Sequence, residues 1–190
     1  MPKAYNGKIL RVDLTTGNIQ VEEPGEVIYR TYFGGGGLSS YYLLKELKPG
    51  VDPLGPENIL VFASTACTGI PISGGVRFTV AAKSPLTGGY GEAEAGGFFG
   101  PELKFAGFDA VIIKGKSPKP CYLWIHDGQA EIRSAEAVWG LETGPAQEKI
   151  RQEVGEPRAR VAQCGPAGEK MVRYACVINE LKHANGRTGM

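Results

Sequence analysis

The chain has 190 residues, 42% of them apolar, with 21 Lys and Arg against 20 Asp and Glu for a formal net charge of +1. So even a balance supplies no electrostatic footprint for a nucleic acid or an anionic membrane surface, and the longest apolar runs are strand-sized, far short of a bilayer span. The 28 glycines are about twice the ~7% usual in soluble proteins and most fall in five clusters, which lays backbone N–H groups bare for something flat or anionic.

Residues 8–14 alternate, 15–18 turn and 19–22 return, which predicts a hairpin at the edge of a sheet. Pro24 and Gly25 open a short helix ending at the run Gly34 to Gly37. Residues 38–47 predict a second helix that starts directly on this four-glycine loop. Its first amides are open to an anion, although a close-packed turn accounts for the run equally well. Residues 59–64 form a continuous apolar strand, 68–75 a loop, 77–82 a strand and 84–89 a turn. Residues 95–106 then predict a helix opened by glycines and closed at Gly107, ahead of a buried strand over 109–114.

A similar order follows downstream. Residues 121–126 and 131–133 make a hairpin across Asp127-Gly128, and 141–154 an amphipathic helix entered through Thr143-Gly144-Pro145. Residues 160–164 run as a strand into the glycine loop 165–168, and 172–177 make another strand heading for the loop 185–189. The repeated order of elements points to an internal duplication within one domain, residues 1–190. The first pass supplies a helix and a buried strand after its glycine loop and the second does not, so the expectation is a fragment, or a sheet completed by another chain.

Gly75 and Arg77 place a guanidinium, a rigid donor fork suited to phosphate or ring heteroatoms, at the mouth of a glycine turn leading into a strand. A solvated arginine at a strand start is the competing account. Glu92, Glu94 and Glu102 surround the next glycine run, yet isolated carboxylates in such a loop are usually solvated. His183 and Arg187 bracket Ala184-Asn185-Gly186 as polar donors beside a glycine turn, against the alternative of a plain surface loop. Cys67, Cys121, Cys164 and Cys176 have no Cys-x-x-Cys spacing and read as small buried hydrophobes. The fingerprints of a dinucleotide fold, a Walker loop, a serine-hydrolase elbow and a zinc protease are all missing. With no apolar signal region at Met1-Pro2-Lys3-Ala4-Tyr5, a soluble cytoplasmic protein is expected.

Several long strings carry a family resemblance over almost the whole chain. They are Gly7-Lys-Ile-Leu-Arg-Val-Asp-Leu-Thr-Thr-Gly17, Asp52-Pro-Leu-Gly-Pro-Glu-Asn58, Lys83-Ser-Pro-Leu-Thr-Gly88, Gly96-Gly-Phe-Phe-Gly-Pro-Glu-Leu-Lys-Phe-Ala-Gly-Phe-Asp109, Gly165-Pro-Ala-Gly-Glu169 and the closing Gly186-Arg-Thr-Gly189. On these the chain resembles the N-terminal domain of the aldehyde ferredoxin oxidoreductases, tungsten or molybdenum bis-pterin enzymes. The resemblance implies a duplicated two-sheet α+β domain whose second half is incomplete and whose glycine loops seat two pterins on one metal. It places Arg77 against a pterin near an iron–sulfur cluster. Ala93, Glu94, Ala95, Gly96 and Gly97 on one loop, and His183, Ala184, Gly186 and Arg187 on the other, would hold the pterins and a magnesium bridging their phosphates. The magnesium would meet Glu94 and Ala184.

The family tends to Asn-Ser-Gly-Gly where this chain has Glu94-Ala95-Gly96-Gly97, and to Arg-Ala-x-Gly-Arg-Gly-Gly where it has His183-Ala-Asn-Gly-Arg-Thr-Gly189. On the resemblance, a magnesium contact through a backbone carbonyl would survive the first change, and Glu94 would add a carboxylate ligand. The second change removes a cation beside the phosphates. Cluster cysteines and acid–base residues lie in later domains of the family, so oxidation of an aldehyde, with electrons passed through the cluster to ferredoxin, needs those domains or a companion subunit. Some relatives act on other carbonyls or reduce aromatic thioesters. The rival expectation is a non-catalytic pterin- or partner-binding subunit, or a degenerate fragment. A homo-oligomer fits either, and neither takes a nucleic acid or a membrane as partner.

Overall fold

The computed structural model describes residues 4–186 and 189. At the amino end β1 (Ile9–Asp13) and β2 (Asn18–Glu22) pair antiparallel as the alternation predicts, and β2 is the edge of a six-stranded sheet. The remaining strands are β3 (Ile59–Ser64), β4 (Phe78–Lys83), β5 (Tyr90–Ala95) and β6 (Ala110–Lys114), in the order β2-β1-β6-β3-β4-β5. β6 lies parallel to β1 and antiparallel to β3, which joins the hairpin to the rest of the sheet.

Successive residues of a strand face opposite sides, so this sheet buries two apolar sets. Ile9, Val61, Ala63 and Ile112 face Leu38, Tyr42 and Leu43 of α2 (Gly35–Glu46), with Ile28 and Tyr32 of α1 (Glu26–Tyr32) at the margin. Leu10, Val12 and Val111 face the other way, onto Leu103 of α3 (Phe99–Phe105), Phe108 and a second hairpin. That hairpin is β7 (Cys121–His126) with β8 (Gln129–Ser134), turned by Asp127 and Gly128 at φ +45° and +77°, the geometry that Asp-Gly favours. α4 (Thr143–Val154) buries Ala146 and Ile150 on Ala135, Val138 and Val161. Finally β9 (Ala162–Gln163), α5 (Gly165–Glu169), β10 (Val177–Asn179) and β11 (His183–Asn185) follow, and Val177 packs on Phe78, Val80 and Ala95.

The architecture is α+β with several sheets. The antiparallel order β5-β4-β3 recurs as β11-β10-β9, each time with the middle strand bonded to both neighbours. In the first sheet β6 bridges β3 to its hairpin; among the described residues no strand bridges β9 to β7 and β8. An open cavity of about 820 Å³ lies there, lined by apolar side chains such as Leu123, Ile125, Leu141, Ile150 and Val161.

Four sequence expectations are corrected. The helix predicted over 95–106 begins only at Phe99, because residues 90–95 form β5. Glu and Ala are poor strand formers, and it is the six-residue register with β4 that holds them extended. The glycine run is not a loop before a helix: Gly35, Gly36 and Gly37 are the first turn of α2. A Cβ on Gly36 would collide with the Glu92 carboxylate and one on Gly37 with the Tyr32 carbonyl, so close packing explains the run. The strand predicted over 172–177 starts at Val177, since Val172 N–H caps α5 on Ala167 O at 3.0 Å and a turn follows; β11 occupies the start of the expected final loop. The cysteines are not deeply buried: Cys67 and Cys164 are exposed and the other two half-buried, because they sit in loops or border the open cavity.

Candidate functional site

The β4–β5 pairing runs from Lys83↔Tyr90 to Phe78↔Ala95, so Arg77, one residue before β4, stands at the same end as Gly96 and Gly97. Its guanidinium is 3.9 Å from Glu94, and both side chains are more than half exposed (58% and 52%). An exposed pair of this kind adds little to stability, which leaves the cation available to a ligand. The Arg77 carbonyl accepts the Thr68 hydroxyl at 2.6 Å, anchoring the strand start to the preceding loop. Gly75 has a packing reason of its own, since a Cβ there would press on the carbonyl oxygens of Ile70, Ile72 and Cys67 in that loop.

The second glycine segment comes to the first through the three-stranded sheet, whose β11 lies against β5. Three side chains make the join. Asn185 Nδ2 donates to Ala93 O at 2.9 Å, Asn179 Nδ2 donates to Gly96 O at 3.3 Å and to His183 O at 3.2 Å, and the Phe98 amide donates to Glu180 Oε1 at 3.0 Å. Asn179 and Asn185 are wholly buried, and the amide oxygen of each has no hydrogen-bond partner among the described residues. Buried polar atoms are seldom left so. His183 stands beside Gly97, its Nε2 3.9 Å from Glu180 Oε2, while Arg160 pairs with Glu180 at 3.4 Å and lies 4.7 Å over the Phe98 ring. Gly97 has φ +90°, and a Cβ on it would strike Asn179 Oδ1 and come within 2.9 Å of His183 Cδ2.

Thus Arg77, Ala93, Glu94, Ala95, Gly96, Gly97, His183 and Ala184 share one end of the two sheets, with Gly186 just beyond β11. Glu94 and Ala184 lie on β5 and β11, which pack together; among the described residues no group of three His, Cys, Asp or Glu side chains could hold a metal. Arg187 lies outside the described residues. Sequence reasoning passed over Asn179, Glu180, Asn185 and Arg160, because isolated polar residues in a β-rich segment give no sign of a partner far away in the chain. Tyr90, also unremarked, bonds Ser40 Oγ at 2.9 Å and ties β5 to α2, and burial raises its phenol pKa.

The family model for "Aldehyde ferredoxin oxidoreductase, N-terminal domain" matches residues 9–190. The chain belongs to this family. It is 46% identical over 184 residues to the tungsten-containing aldehyde ferredoxin oxidoreductase of Pyrococcus furiosus, covering 97% of this chain and 30% of that protein. The enzyme of the same name from Pyrococcus abyssi is 48% identical over 186 residues, 98% of this chain and 31% of the relative. A further relative, the aliphatic sulfonate oxidoreductase WOR-like subunit of Pyrococcus furiosus, is 36% identical over 98% of this chain and 32% of its own length. Among solved structures, the active site complex BamBC of benzoyl coenzyme A reductase with 1,5-dienoyl-CoA superposes with a TM-score of 0.95 at 39% identity, over 100% of this chain and 29% of that one. The chain therefore spans about a third of the length of these members of the aldehyde ferredoxin oxidoreductase family.

Proposed function

We propose that residues 1–190 are the cofactor-seating domain of a tungsten or molybdenum bis-pterin oxidoreductase. The observation that carries this is the cross-link between the two glycine segments, from Asn179, Glu180 and Asn185 to Ala93, Gly96 and Phe98, in a family whose curated relatives are named tungsten-containing. The residues present suit such a group. Arg77 and His183 border the segments as donors, and the buried amide oxygens of Asn179 and Asn185 have no partner among the described residues. Gly75, Arg77, Ala93, Ala95, Gly96, Gly97, His183, Ala184, Gly186 and Arg187 would hold the pterins, and Glu94 with the Ala184 carbonyl a magnesium between their phosphates.

When bound, the metal would supply two-electron exchange with a carbonyl substrate: an aldehyde and water would become a carboxylic acid and two protons, with two electrons handed through an iron–sulfur cluster to ferredoxin. This chain's share is to orient and to exclude water: the amides of Gly96 and Gly97 would face flat ring edges, and Arg77 would balance negative charge beside Glu94. The cluster ligands belong to other domains or a companion subunit, and the apolar cavity between β7 and β9 is where that remainder packs. A cytoplasmic setting fits, as no helix among the described residues is long and apolar enough to cross a membrane.

Metal and pterin analysis of the protein purified from its native host tests the reading. Tungsten or molybdenum near one per protein with pterin supports it; a metal-free, pterin-free protein leaves a non-catalytic partner-binding domain. The likeness to a benzoyl coenzyme A reductase complex favours a second substrate class, an aromatic thioester that is reduced. Turnover of the holoenzyme with benzoyl-CoA and a low-potential donor, set against aldehyde oxidation, decides between them.

A further inference from the structure

β10 and β11 are joined by a tight turn in which Lys182 N–H bonds Asn179 O at 3.3 Å and both central residues have positive φ, Glu180 at +52° and Leu181 at +62°. Glycine and asparagine fill such positions without strain, whereas Glu and Leu do not. Strain kept in a fold points to a use for the side chain that suffers it. Leu181 has no evident use, being 45% exposed. Glu180 is different. Its side chain is 11% exposed, its Oε1 accepts the Phe98 amide at 3.0 Å and pairs with Arg160 at 3.4 Å, and its Oε2 faces His183 at 3.9 Å. The same Arg160 guanidinium lies on the Phe98 ring, so one carboxylate grips Phe98 twice, directly by its amide and through Arg160 by its ring.

We propose that Glu180 is a positioning residue that clamps the Gly96–Phe98 segment of the first repeat to the β10–β11 turn of the second, holding the two halves of the cofactor seat at a fixed separation. As regards the cofactor, this rests on the function proposed above; as regards the clamp, it rests on geometry alone. The left-handed backbone at Glu180 is what aims the carboxylate across the gap: the turn brings the strands round, and the positive φ turns this side chain back towards Phe98. Asn179 and Asn185 on either side of the turn bind Gly96 and Ala93 through their amides, so the clamp fastens the free end of a segment already pinned at its base.

The test compares two changes at the same turn in the purified holoenzyme. Leu181→Gly and Glu180→Gly each relieve a strained residue, and only the second removes the carboxylate. Leu181→Gly is expected to melt at or above the wild-type temperature, and Glu180→Gly within a few degrees of it, since relief of the backbone strain offsets the lost carboxylate contacts. Glu180→Gly alone should speed amide hydrogen exchange across 96–100, by roughly tenfold for the loss of a charge-assisted bond, and should lose metal and pterin faster on dilution. Glu180→Gln, which keeps an acceptor for the Phe98 amide, should restore most of the protection. Exchange and cofactor retention in Glu180→Gly equal to those of Leu181→Gly would overturn the clamp, as would a fall in melting temperature that accounts for both losses. A wild-type protein that carries no metal or pterin would sink the proposed function, and the exchange comparison would still decide the clamp.

Discussion

The adjacent glycines Gly96 and Gly97 make a controlled experiment on whether the two segments are seated against each other as described. Gly96 lacks positive φ, and a Cβ there would meet only Val76 Cγ2 at 3.8 Å and His183 Nδ1 at 3.9 Å, ordinary contacts. Gly97 has φ +90°, and its added methyl would collide with Asn179 Oδ1 and approach His183 Cδ2 at 2.9 Å and Glu180 Oε2 at 3.3 Å. Asn179 cannot yield, being wholly buried with its Nδ2 committed to Gly96 O and His183 O. The left-handed backbone costs an L-residue about 1–2 kcal/mol and the overpacking about 1–3 kcal/mol, so Gly97→Ala should destabilise by roughly 3–4 kcal/mol. For a unit of this size that lowers the melting temperature by about 10 °C, while Gly96→Ala should stay within about 0.5 kcal/mol of wild type. Differential scanning calorimetry of the two variants reads the contrast directly. Equal melting temperatures for the two would refute the packing of β11 and its turn on the first glycine segment.

Two further outcomes follow from groups outside the site. Asp109, 3% exposed, accepts the backbone amides of Asn6, Gly7 and Lys8 at 2.9, 2.7 and 3.3 Å, so Asp109→Asn should remove about 2–3 kcal/mol and lower the melting temperature by roughly 5–10 °C; an unchanged midpoint would deny that this carboxylate holds the amino end. Burial raises the phenol pKa values of Tyr29 and Tyr42 far above the ordinary value near 10, helped by the negative charges of Asp109 and Glu22 respectively. Above pH ~10 the unfolded chain therefore releases protons that the fold retains; stability is complete below that pH and declines as pH rises beyond it. In an ultraviolet titration two of the eight tyrosines should ionise only with cooperative unfolding, and ionisation of all eight with the circular dichroism intact would contradict the burial.

Local pattern carried much of this molecule. The alternation of β1 and β2, the Asp127-Gly128 turn, the apolar run of β3 and the amphipathic α4 are each decided by side-chain periodicity and turn chemistry within a dozen residues, and all are where the sequence puts them. The repeated order of elements was legible for the same reason. Where local preference and tertiary pairing disagree, the sequence misleads. Residues 90–95, rich in Glu and Ala, are a strand only because β4 offers six consecutive partners. The glycines at the start of α2 read as a loop, yet they are helical and bare because Glu92 and Tyr32 leave no room for a Cβ.

The site divides in the same way. Composition and motif marked Arg77, residues 93–97 and residues 183–187 as separate polar, glycine-rich segments; the family resemblance alone brought them together, and no local signal in them says that they meet. That was decided by the stacking of the three-stranded sheet on β4 and β5, which brings Asn179, Glu180 and Asn185 within hydrogen-bond reach of a backbone more than 80 positions earlier. A hydrogen bond depends on tenths of an ångström between atoms, and chain separation carries no information about that distance. The sequence by itself therefore determined the local elements and the candidate residues, and the packing of one half of the chain on the other determined which of them meet.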